Sequence, residues 1–182
     1  MKARDIPNIL CLARMVLTIP IAWAILGGHY PVALLLFFIA GFTDGLDGFL
    51  AKRFAWQSRL GGFLDPAADK LLLATSFVTL WITGYVPGWL LVAVITRDLV
   101  IVLGAAVYHW RVGDFVAEPS IASKLNSALQ LLYVLMTLCW LVFMLPGPDM
   151  IAALGWVVFA TTVYSGLDYI VRWAGRARTA KA

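Results

Sequence analysis

The sequence predicts an all-α integral membrane protein of six transmembrane helices with both termini cytoplasmic. Three observations carry that expectation. Of the 182 residues, 62% are hydrophobic and 13% charged, and mean hydropathy is +0.88, whereas soluble domains run at about 45–50% apolar and about 25% charged. Gly, Pro and polar punctuation cuts the chain into six apolar runs, each near the length of about 20 residues that crosses a bilayer. Lys and Arg fall in alternate connections, as the positive-inside rule requires for an even number of spans. Six spans use about 120 positions and leave no room for an extramembrane domain, so residues 1–182 are expected to form a single membrane domain.

The first run goes from about Ile9 to Leu26 and stops at Gly27, Gly28 and His29. Lys2 and Arg4 ahead of it, with Ala22-Trp23-Ala24 inside it, imitate a secretory signal with a small-residue cleavage site. Arg14 interrupts the apolar stretch and Pro20 lies within it, and cleavage would break the charge alternation, so the segment is expected to stay as a span. The second run covers Val32 to about Phe54 and the third about Leu60 to Ile82. The fourth starts after Pro87 and reaches about Trp110, the fifth covers about Lys124 to Leu145, and the sixth about Met150 to Trp173.

Lys52, Arg53 and Arg59 separate the second and third runs, Arg111 and Lys124 flank the next loop on the same side, and Arg172, Arg176, Arg178 and Lys181 follow the sixth. Residues 27–31, 83–88 and 146–149 contain no Lys or Arg. The net charge of +4 therefore marks a face against anionic headgroups of membrane lipids, and a nucleic-acid partner has no support. Cys11 and Cys139 are expected near opposite membrane faces, as packing thiols.

Asp44 and Asp47 lie inside the second run, Asp65 and Asp69 inside the third. A charge at the centre of a bilayer helix costs at least about 2.5–3.5 kcal/mol, so these carboxylates are expected to face a polar cavity with cations to compensate them. Residues three or four apart share a helix face, which pairs Asp44 with Asp47 and Asp65 with Asp69. The two runs, joined by a short basic loop, are expected to be antiparallel neighbours whose acidic pairs face each other below the cytoplasmic surface. An all-oxygen, multi-carboxylate site suits Mg²⁺ or Mn²⁺, with room for two ions. Gly45, Gly48, Gly61 and Gly62 around it serve either close helix packing or the approach of a ligand to the backbone. Ion pairing with Arg14, Lys70 and Arg97 is the blander account, although buried charge without function is a poor way to build a bundle.

From Asp44 the chain reads DGLDGFLAKRFAWQSRLGGFLDPAADK. This resembles the signature of the CDP-alcohol phosphatidyltransferases, D-x2-D-G-x2-A-R, eight residues, then G-x3-D-x3-D. Asp44, Asp47, Gly48, Ala51, Gly61, Asp65 and Asp69 match it, while Lys52 stands where the family has Arg. That change keeps the charge and loses the bidentate fork. The entry segment, residues 6–20, and the number of spans resemble the family as well. The resemblance implies passage of the phosphatidyl group of CDP-diacylglycerol to an alcohol, with release of CMP. It implies that Asp44, Asp47 and Asp65 hold Mg²⁺ or Mn²⁺, two ions, and that Asp69 is the base and also touches a metal. Gly48, Ala51, Lys52 and Gly61 would border the CDP moiety. A homodimer, and an active site facing the cytoplasm of a bacterial inner membrane, are further expectations.

Arg97-Asp98, followed by residues 119–130, resembles the corresponding stretch of cardiolipin synthases of the mitochondrial type within that family, so the expected acceptor is phosphatidylglycerol. Glycerol 3-phosphate is the alternative. Arg97, roughly 15 Å into the fourth span, either pairs with an Asp of the cluster or binds the acceptor's phosphate. Lys124 either anchors the membrane surface or binds the acceptor. Asn126 and Gln130 share a face and donate to a ligand or to a neighbouring helix. Asp98 and Asp168 are expected to be structural partners of basic residues. An ion-coupled secondary transporter is the rival class, though the carboxylates lie away from the midplane and no repeat supplies a second broken helix. A noncatalytic scaffold leaves the acidic cluster without a role.

Overall fold

The computed structural model describes residues 6–53, 61–112 and 120–179, with side chains described over 9–44, 66–104 and 120–171. Six helices follow one another: α1 (Ile6–Leu26), α2 (Tyr30–Arg53), α3 (Gly61–Ile82), α4 (Gly88–Val112), α5 (Ile121–Phe143) and α6 (Pro148–Thr179). Among the described residues there is no strand. Each expected apolar run is a helix.

Among the described residues, three stretches are long and apolar enough to cross a membrane, Ile9–Leu26, Ile121–Phe143 and Pro148–Val171, and Tyr30–Asp44 is a shorter apolar stretch. The largest boundary difference is at α6, which runs six residues past Trp173 to Thr179, because nothing there breaks a helix except the tolerated Gly175.

Helix ends follow from local chemistry. At the end of α1, Gly28 adopts φ 72°, its N–H donates to Ile25 O at 3.1 Å, and His29 N–H reaches back to Ala24 O at 2.8 Å. Gly84, at φ 84°, ends α3 in the same way, with Gly84 N–H to Trp81 O at 3.0 Å and Tyr85 N–H to Leu80 O at 2.8 Å. Only glycine takes this left-handed turn without strain. Ser120 caps α5, its Oγ accepting from Ser123 N–H at 3.2 Å, which starts that helix three residues earlier than the sequence pattern suggests.

The chain divides into two compact units, Met1–Val86 with Val134–Gly147, and Pro87–Tyr133 with Pro148–Ala182. In the first, α1 packs against both α2 and α3. Its buried stripe is Cys11, Arg14, Thr18, Ile21 and Ile25, at alternating spacings of three and four. Leu12, Val16, Ile19, Trp23 and Leu26, on the other side, are exposed. Arg14 and Thr18 are thus buried while large apolar side chains face outward, unlike a water-soluble helix.

In the second unit, α4 packs against α6. Trp89 stacks on Trp156 with ring centroids 4.6 Å apart, and Phe159 meets Trp89 edge-on at 5.2 Å. Gly155 permits the close approach: a Cβ there would lie 3.3 Å from Tyr133 Cε2 and 3.7 Å from Leu90 Cδ2. Gly155→Leu is therefore expected to destabilise the protein by about 1–3 kcal/mol, the usual cost of overpacking. Gly41→Ala, whose added methyl meets nothing within 4 Å, is expected to leave stability unchanged or raise it slightly. Thermal unfolding in detergent reads both.

Candidate functional site

Three helices of the first unit bring charge to one point. On α2 the buried stripe Ala33, Phe37, Ala40 continues, one step of four residues on, to Asp44. On α3 the buried residues Leu73, Ser76 and Leu80 lie on the face that begins at Asp69. The same packing that buries the apolar stripes therefore turns both carboxylates toward α1. Arg14 meets them there: its Nη1 donates to Oδ1 of Asp44 and to Oδ1 of Asp69.

The Arg14 side chain is 0% exposed, whereas those of Asp44 and Asp69 are 40% and 45% exposed. The guanidinium is thus the inner layer and the carboxylates the outer one. Thr18 Oγ1 donates to Arg14 O at 3.0 Å, and Arg14 Nη2 lies 3.9 Å from Cys11 Sγ. Direct facing of the two acidic helices is refined accordingly, since α1 packs against both and its arginine stands between their aspartates.

Of the other signature positions, Asp47, Gly48, Ala51 and Lys52 belong to the α2 backbone and Gly61 and Asp65 to that of α3; their side chains lie outside the described residues. Among the described residues no group of three His, Cys, Asp or Glu side chains gathers around one point. Asp44 and Asp69 nevertheless fit a hard divalent cation. They offer carboxylate oxygens from two helices and are open enough for an ion to reach them from water, although one oxygen of each already pairs with Arg14.

A second polar centre occupies the other unit. Arg97, on α4, is 5% exposed. Its Nη1 donates to Asp98 Oδ1 at 2.7 Å, and its Nη2 donates to Ser123 Oγ at 2.6 Å and Ser165 Oγ at 2.9 Å. Its carboxylate partner is thus its neighbour in sequence, as expected for Asp98. One turn along, Asn126 Oδ1 accepts from Thr161 Oγ1 at 3.0 Å and Thr162 Oγ1 at 2.9 Å, and Gln130 Nε2 donates to Thr162 Oγ1 at 3.4 Å. Asn126 and Gln130 thus bond to a neighbouring helix.

Two buried donors in this unit, Arg97 Nε and Asn126 Nδ2, have no protein acceptor, a condition that costs about 1–3 kcal/mol per group. Lys124 is exposed in the first turn of α5. Reading residue by residue misses Ser123, Ser165, Thr161 and Thr162, although their spacing of three to four along apolar helices is the signal of a polar seam.

The sequence profile of the CDP-alcohol phosphatidyltransferase family matches residues 4–165. A probable cardiolipin synthase (CMP-forming) of Drosophila melanogaster is 31% identical over 182 residues, 91% of this chain and 56% of its own length. A cardiolipin synthase (CMP-forming) of Rattus norvegicus is 35% identical over 156 residues, 76% of this chain and 51% of its own. A probable phosphatidylglycerophosphate synthase of Mycobacterium tuberculosis is 35% identical over 184 residues, 94% of this chain and 82% of its own. The chain spans about half the length of the fly and rat relatives.

Breaking a buried ion pair costs about 3–5 kcal/mol. Because both aspartates reach solvent, Arg14→Gln is expected to cost less, about 1–3 kcal/mol, in metal-free buffer. Mn²⁺ is expected to restore part of that loss by neutralising the carboxylates in its place, as read by melting temperature with EDTA and with Mn²⁺.

Proposed function

Because this chain belongs to the CDP-alcohol phosphatidyltransferase family, we propose that it transfers the phosphatidyl group of CDP-diacylglycerol to an alcohol and releases CMP. The observation that carries the reading is the convergence of Asp44 and Asp69, both signature positions, on the buried Arg14. Phosphatidylglycerol is the acceptor, which makes the product cardiolipin. The fly and rat relatives carry cardiolipin synthase names, and residues 119–130 resemble that branch. Glycerol 3-phosphate is the second reading, favoured by the name of the mycobacterial relative. The rival transporter class gains nothing from the family match.

The protein spans the membrane six times, with its termini and its active site at the cytoplasmic face. Asp44, Asp47, Asp65 and Asp69 would hold Mg²⁺ or Mn²⁺, two ions, and bound metal would neutralise charge on the pyrophosphate and on the leaving CMP. Gly48, Ala51 and Gly61 leave room for the CDP moiety, and Lys52 supplies a cation to it. Arg14, from behind, fixes the orientation of Asp44 and Asp69. Asp69 takes the proton from the acceptor hydroxyl as the hydroxyl oxygen bonds to the phosphatidyl phosphorus and the bond from that phosphorus to the bridging oxygen breaks, its electron pair leaving with CMP. Arg97 and Lys124 serve the acceptor's phosphate.

The test is CMP release from CDP-diacylglycerol by the purified protein, with lipid products identified by mass spectrometry. Turnover is expected to vanish in EDTA and return with Mg²⁺ or Mn²⁺; full turnover in metal-free buffer contradicts the reading. Asp69→Asn is expected to lower kcat by about 10²–10⁴-fold, the range of a lost general base, with little change in the KM for CDP-diacylglycerol. Near-normal turnover would remove Asp69 from the base role.

A further inference from the structure

Arg14 Nη1 donates to Oδ1 of Asp44 and to Oδ1 of Asp69, so one oxygen of each carboxylate is already engaged. A carboxylate has two oxygens, and a cation arriving at the pair meets at most one further oxygen from each. A second lone pair on Oδ1 does not lift this limit, because a cation bound there would share its oxygen with the guanidinium charge.

The engaged oxygens are held firmly. The Arg14 side chain is wholly buried, and Cys11 and Thr18, its neighbours along the inner stripe of α1, are buried with it. Withdrawing a carboxylate would leave a sealed guanidinium short of an anion. The carboxylates themselves reach solvent. They are therefore gripped from inside and approached from outside.

That arrangement treats cations of different size differently. Ca²⁺ takes about six to eight oxygens and often takes both oxygens of one carboxylate to reach that number. Mg²⁺ demands a near-ideal octahedron, keeps several waters, and is bound through one or two carboxylates. Mn²⁺ accepts the same octahedral oxygen geometry. Single oxygens from Asp44 and Asp69 suit the smaller ions. The second oxygens that Ca²⁺ would recruit are the two bonded to Arg14.

We propose that Arg14 sets the cation selectivity of the site: by holding Oδ1 of Asp44 and Asp69 it confines each to single-oxygen ligation, which favours Mg²⁺ and Mn²⁺ over Ca²⁺. The proposal rests on the divalent-cation reading above and adds to it a residue that acts through the ligands rather than as one. Removing the Arg14 charge strengthens the attraction of every divalent cation, so the ratio between two cations, and not either affinity alone, reports the ligation.

Competition against Mn²⁺, followed by electron paramagnetic resonance in the metal-free purified chain, tests it. In the unsubstituted protein, displacing half of the Mn²⁺ is expected to take about tenfold more Ca²⁺ than Mg²⁺, the lower end of what partners of ligating carboxylates do to metal affinity. Arg14→Gln ends two bonds short of the Nη atoms and releases both Oδ1 atoms, so the ratio is expected to fall by about tenfold there. Displacement by Ca²⁺ at or below the Mg²⁺ concentration in the unsubstituted protein overturns the proposal without recourse to a variant. A ratio unchanged in folded Arg14→Gln assigns the discrimination to other ligands and overturns the role of Arg14, leaving the cation reading intact. Absence of Mn²⁺ binding to the unsubstituted protein overturns the cation reading and the proposal with it.

Discussion

A guanidinium sealed among apolar helices must find anions, and Arg14 finds them on two different helices. Its side chain is wholly buried, and it joins α1 to Asp44 on α2 and Asp69 on α3. Rotating either carboxylate away would take from a buried guanidinium one of its two anionic partners, which opposes that motion. The same contact ties the rotation of α2 and α3 about their axes to α1 at Asp44 and Asp69. An ion pair that looks structural in isolation therefore orients both candidate site carboxylates.

The second unit solves the same problem with different parts. Arg97 takes its charge partner from the adjacent residue and its remaining neutral partners from hydroxyls on α5 and α6. In both units an arginine and several hydroxyl side chains are buried, while Val16, Ile19, Trp23, Phe38, Trp156 and Tyr164 are exposed. An exterior of that kind is stable in hydrocarbon and costly in water.

Much of this was legible in the sequence. The six helices follow from apolar runs bounded by Gly28, Gly84 and Pro148, and two of those boundaries are glycine turns with positive φ. The acidic positions were legible because spacing within a helix assigns a face. Contacts between helices were less so: spacing does not say which helix lies against which, so the place of Arg14 between Asp44 and Asp69 comes from the packing of α1. For Arg97 the competing partners were a distant aspartate, a ligand and its own neighbour. Its Nη1 bonds to Asp98, and serines from two other helices take Nη2. The Ser and Thr seam was the least legible part, because hydroxyls on an apolar helix read equally well as self-bonded to the preceding turn, as Thr79 and Thr83 are.

The central claim is that the aspartates gathered by Arg14 form a divalent-cation site. Electron paramagnetic resonance of Mn²⁺ titrated into the metal-free purified protein tests it most directly. The account predicts two bound Mn²⁺ per chain, and loss of that binding in the Asp44→Asn/Asp69→Asn double variant while the helical circular dichroism signal remains. Absence of bound Mn²⁺ in the unsubstituted protein, or undiminished binding in the folded double variant, would contradict it.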